Sequence, residues 1–197
     1  GRRLLEEACQ LYERTGARFY EAGRVGDPQA SLAYLALLEG DYVEAARLAE
    51  ANLRLCEEGG HVMQRPFAWR LVSRIAHAQG RYAVARLAGE RAYAAVQEAQ
   101  DRWFESFVLL DLGKVLLAQG DAQGARRCFR ASHAGWEAFG DPEGRALSLL
   151  WEAQAALSEG DLHEARELFA GSLEIYRTRG HRSGLAESAH GLGRVAA

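Results

Sequence analysis

The chain has 197 residues, a formal net charge of −3 and an apolar fraction of 48%. That length suffices for a sizeable buried core, and the near-balanced charge excludes a surface built to coat nucleic acid, an acidic tail and a disordered chain. Arginine carries almost all of the positive charge, Lys114 being the only lysine. Cys9, Cys56 and Cys128 make an odd count with no CxxC spacing, which fits reduced core thiols in a cytoplasmic protein better than a disulfide framework. No apolar run approaches the length of a membrane span, and no secretory leader is present. The first residue is Gly rather than Met, so a piece of a longer protein is expected.

In chain order, the segment LLEEACQLYERTG (4–16) matches LFAGSLEIYRTRG (168–180), pairing Leu4, Leu5, Cys9 and Tyr12 with Leu168, Phe169, Leu173 and Tyr176. The chain therefore opens inside a second helix of a repeat, a half-unit over 1–16. The connection 17–28 is longer than its counterparts and is expected to be an irregular loop closing on Asp27-Pro28. From there one unit recurs every 40 residues, marked by Gly40, Gly80, Gly120 and Gly160 and, five residues after each, Ala45, Ala85, Ala125 and Ala165. The spacing predicts repeats at about 28–60, 66–100, 106–140 and 144–180, then a half-unit at 184–197 that begins a further first helix.

Each unit reads as two helices. In the second, apolar residues recur at steps of three and four, as in Tyr42, Ala45, Leu48, Ala49, Leu53 and Cys56, with charges between them; this is the mark of an amphipathic helix. In the first, the residue seven before the turn glycine is always small (Ala33, Ser73, Gly113, Ala153), which lets a neighbouring helix approach closely. Gly60, Gly140 and Gly180, with Gln100 in the same register, end the second helices, where a left-handed cap is wanted. Asp141-Pro142 starts the next first helix with proline in its first turn, where a missing N–H is harmless.

Helix, glycine turn and helix, with small residue, Gly and Ala at these spacings, resembles the tetratricopeptide repeat over essentially the whole chain. The usual period is about 34 residues, so this is a longer form. With GD at the turns and the wording EARELF…SLEIYRTRG, it resembles the C-terminal repeat arrays of large bacterial ATP-dependent transcriptional regulators and signalling ATPases. The resemblance implies an all-α fold, a right-handed α-solenoid of antiparallel helix pairs over 1–197.

Motifs for chemistry are scarce. No GxxxxGK[ST], HExxH or GxSxG occurs. GLGRVA (191–196) fits GxGxxA but follows no strand, and Gly193 stands in the small-residue column of the repeat. Cys56 and His61 lie close in sequence without the further ligands a metal needs. No paired carboxylates suggest acid–base work. No enzyme, cofactor or metal site is expected.

A helical-pair solenoid offers a surface lined by its first helices. By family register, the groove-facing ladder implied by the resemblance is Tyr34, Arg74, Lys114, Gln154 and Arg194, flanked by Arg70, Asp111, Trp151 and His190 and, one turn along, His77. Arginine forks suit carboxylates and aromatics make strong anchors. The expected function is a non-enzymatic scaffold or effector sensor binding a protein or peptide, acidic in character, in a concave groove; nucleic acid and membrane are not expected partners. The alternatives are a small-molecule sensor, and self-association through the terminal half-units, where Leu4, Leu5, Tyr12, Leu185, Leu192 and Val195 lack their usual neighbours. The asparagine of the carboxylate-binding variant of the family is absent from the ladder, which argues against that function.

Overall fold

The computed structural model describes residues 2–15 and 28–196. Within these residues there are ten helices and no strand: α1 (Arg2–Thr15), α2 (Pro28–Glu39), α3 (Tyr42–Glu58), α4 (Arg65–Ala78), α5 (Tyr82–Glu98), α6 (Arg102–Ala118), α7 (Ala122–Ala138), α8 (Pro142–Glu159), α9 (Leu162–Arg179) and α10 (Arg182–Ala196). The expected loop over 17–27 and the Tyr12 side chain lie outside the described residues. The chain forms two compact units, Gly1–Ala95 and Val96–Ala197.

The turns explain the punctuation. The turn glycines Gly40, Gly80, Gly120 and Gly160, and Gly60, Gly140 and Gly180 at the ends of second helices, all have positive φ, between 67° and 83°. After most of them a backbone N–H reaches back five residues, as from Asp41 to the Ala36 carbonyl at 2.9 Å and from Asp161 to that of Ala156 at 3.0 Å. These bonds satisfy carbonyls that a helix end leaves open. Gln100 takes the same left-handed conformation, φ 53°, without being glycine. The aspartates then cap the next helix: Asp121 Oδ1 accepts from Gly124 N at 2.8 Å, and Asp141 Oδ1 from Gly144 N at 3.0 Å. Asp101 caps α6 through Phe104 N at 3.1 Å. His181 takes the aspartate's place before α10, its Nδ1 accepting from Gly184 N at 3.1 Å. These caps start α6 and α10 a few residues earlier than the repeat spacing suggested.

The small-residue column lies where helices touch. Ala33 and Ala153 are fully buried, and Ser73 turns its hydroxyl onto the Ala85 carbonyl at 2.7 Å. A Cβ on Gly113 would stand 2.5 Å from Phe129 Cε1, so glycine there admits the phenyl ring. Gly193, in the same column, has nothing within 4 Å of that point. The core of the first unit gathers Leu32, Ala36, Leu48, Leu71 and Ile75, with Leu5 and Cys9 of α1 against it. In the second unit Leu112, Leu116 and Phe129 form one cluster, and Leu150, Phe169 and Val195 another. Val195 and Leu192, expected to lack neighbours, in fact pack on this last cluster, because the α9 side of α10 is covered; Leu4 is exposed as expected.

Two departures from the apolar pattern stand out. The first apolar position of the second helix is exposed at Tyr42 and Leu162, since it sits at the turn. Conversely, Asn52, Ser132 and Ser172, in the same column of the repeat, are buried. Ser132 Oγ donates to the Ser106 carbonyl at 2.8 Å and lies 3.0 Å from Ser148 Oγ. Ser172 repeats this with the Ala146 carbonyl at 2.9 Å and Ser188 at 3.0 Å. Each hydroxyl thus joins a second helix to the first helices on either side, and its burial is compensated.

Candidate functional site

The ladder residues sit on first helices, and the structure brings several of them into contact. In the first unit the Arg74 guanidinium of α4 lies over the Tyr34 ring of α2, 4.9 Å from its centroid. Arg70 is half-buried one turn before it. His77 leans toward the α4–α5 turn, its ring 5.6 Å from that of Tyr82.

In the second unit Lys114 Nζ of α6 stands 4.9 Å from the centroid of the Trp151 ring on α8 and 3.5 Å from Asp111 Oδ1. The indole is backed by Phe129 at 6.4 Å between ring centroids. Arg194 of α10 donates from an Nη to Gln154 Oε1 at 2.9 Å, across one repeat. His190 is exposed one turn before Arg194. The ladder cations are therefore steered by aromatic faces and an amide. A cation over an exposed ring gains roughly 0.5–1 kcal/mol, enough to bias a side chain without locking it. Asp111, buried beside Lys114, offsets part of the positive charge on this face.

The sequence reading missed a charged cluster at α7, α8 and α9. Arg130 Nε donates to Glu152 Oε1 at 2.5 Å, and its Nη2 to Glu164 Oε1 at 2.9 Å. Arg126 donates to Glu159 Oε2 at 2.9 Å and also pairs with Glu164. The hydrogen bond to Glu152 raises the Arg130 pKa, and that to Glu159 raises the Arg126 pKa. Glu152 is 4% exposed. A signal was present: position 152 falls in a column otherwise filled by Leu32, Val72, Leu112 and Leu192. In the first unit, Arg2 of α1 pairs with Glu39 of α2 at the register of Arg126 and Glu159. This ion pair thus recurs as a tie between neighbouring repeats.

No model of a known protein family matches the chain, and no curated protein matches it significantly. Solved structures do. BtubC (BKLC) from P. vanneervenii is 18% identical with a TM-score of 0.81, over 98% of this chain and 79% of that one. A Podosopora anserina protein described as a putative kinesin light chain with nearly identical TPR-like repeats is 22% identical with a TM-score of 0.70, over 85% of this chain and 83% of that one. A single-residue variant of that protein gives the same identity and TM-score. At these identities the likeness establishes the fold. The chain has the TPR-like repeat fold, an all-α solenoid of antiparallel helix pairs. Proteins of this fold are generally protein-interaction scaffolds. Among the described residues no group of three or more His, Cys, Asp or Glu could hold a metal ion.

Proposed function

We propose that the chain is the protein-binding array of a larger, cytoplasmic bacterial regulatory protein, and that it captures an acidic segment of a partner on the face of its first helices. Lys114 and Arg194 take carboxylates in the second unit, beside Trp151 as a flat apolar anchor. Tyr34, Arg70, Arg74 and His77 offer the same chemistry in the first unit. The observation that carries this reading is the contact between ladder side chains, Lys114 on Trp151 and Arg194 on Gln154. Long cationic side chains already held by neighbours lose less freedom when a ligand arrives. The planar guanidinium of Arg194 suits a two-pronged bond to carboxylate.

Selection from a displayed library of short random peptides tests this. Peptides rich in Asp and Glu with an aromatic or leucine are expected to be recovered. The Lys114→Glu/Arg194→Glu double variant, folded by circular dichroism, is expected to bind them at least tenfold more weakly, or about 1.4 kcal/mol. Equal affinity for wild type and double variant would move the site off Lys114 and Arg194.

A further inference from the structure

The outer face of one second helix carries a leucine where the others carry a charge. Leu87 of α5 occupies the column of Arg47, Arg127 and Glu167, all exposed charges in their own helices. Leu87 is itself 55% exposed, and Val84, in the column of Glu44 and Glu164, is 38% exposed. Ala83 and Ala94 are exposed too. Steps of four and seven place Ala83, Leu87 and Ala94 on one side of the helix, a stripe roughly 16 Å long at the α-helical rise. This leucine, in a column of solvated charges, leaves more than half of its surface open to solvent.

The charges beside the stripe decide what fits it. Arg86 Nε donates to Glu90 Oε1 at 2.8 Å along one flank, while Arg91 is laid over the Trp69 ring of α4 at 5.2 Å. A two-fold axis perpendicular to α5 at the level of Ala88 would bring a second α5 antiparallel to the first. That operation keeps each flank on its own side and sets position 86 of one helix level with position 90 of the other. The Arg86–Glu90 flank is therefore self-complementary, as an isologous contact requires, and the two Leu87 side chains meet near the axis.

We propose that the outer face of α5 docks a second copy of this chain, the two helices antiparallel, with Leu87 at the centre and Arg86–Glu90 pairs exchanged between copies. One helix face falls well short of the about 800 Å² per partner of a standard interface. The dimer is accordingly weak and rapidly reversible, with a dissociation constant of roughly 10–100 μM.

Sedimentation of the 197-residue chain at concentrations from about 5 to about 500 μM, bracketing that constant, tests the proposal, with circular dichroism confirming that each variant is folded. Wild type is expected to pass from monomer to dimer across this range. Leu87→Glu is expected to weaken the dimer at least about tenfold, and the gentler Leu87→Gln several-fold. Arg86→Glu and Glu90→Arg each set like charges across the axis and are expected to weaken it about fivefold. An equimolar mixture of those two variants pairs opposite charges at both positions, so its heterodimer is expected within about twofold of wild type. A wild type monomeric throughout, a dimer indifferent to Leu87, or a mixture no tighter than its components would each overturn the proposal.

Discussion

Replacing Arg130 with alanine strands the Glu152 carboxylate. Glu152 is 4% exposed and accepts from Arg130 Nε at 2.5 Å. Breaking a buried pair from one side typically costs about 3–5 kcal/mol. One feature lowers that figure here. The Arg130 side chain is 57% exposed, so truncation admits water to the carboxylate. The expected loss for Arg130→Ala is therefore about 2–3 kcal/mol at pH 7, a fall in Tm of roughly 5–10 °C for a chain of this size. Glu164 keeps its contact with Arg126 and adds little to the loss. Restoring the column's apolar character with Glu152→Leu in the same chain is expected to recover wild-type stability within about 1 kcal/mol, because a well-packed apolar pair commonly replaces a buried ion pair without loss. The cycle is read by urea unfolding followed by circular dichroism at pH 7. A loss below about 0.5 kcal/mol at pH 7, or no recovery in the double variant, would refute the reasoning.

Gln100→Gly is expected to stabilise the chain by about 0.5–1 kcal/mol in the same unfolding assay, since glutamine is held at φ 53°, where a side chain is strained, while the gain is partly offset by glycine's unfolded-state entropy. The column shared by Gly113 and Gly193 separates packing from propensity. Gly113→Ala is expected to destabilise by about 1–2 kcal/mol through the clash with Phe129, whereas Gly193→Ala, in open space, is expected to be neutral or to gain about 0.5 kcal/mol of helix propensity. Burial pushes the Cys128 thiol from 9.0 up to about 11 and the Tyr176 phenol from 10.0 up to about 12. Both folded-state values are raised, so the stability tied to them is complete below the ordinary values and is lost as pH rises toward the folded ones. Thermal melts are expected to fall progressively above about pH 9, and Phe in place of Tyr176 with Ser in place of Cys128 is expected to flatten that fall.

The chain's own residues determined its helices and turns, because those features are local. A left-handed turn favours glycine for steric reasons that act within one residue, an aspartate caps the N–H groups three residues on, and an amphipathic stripe follows from the 3.6-residue period. Repetition at 40 residues then made Ala33, Ser73, Gly113 and Ala153 legible as contact points. The ladder was legible as a row. That Arg74 lies over Tyr34, and Lys114 over Trp151, depends on distances between helices that no single-helix pattern contains.

Tertiary structure alone decided the fate of Glu152, Ser132 and Ser172. A buried charge or hydroxyl is tolerated only if a partner from another helix reaches it. Here Arg130 arrives from 22 residues away and the Ser106 carbonyl from 26. The composition of its column marks Glu152 as an exception, and only the packing of α6, α7, α8 and α9 supplies the partners that let these groups stand.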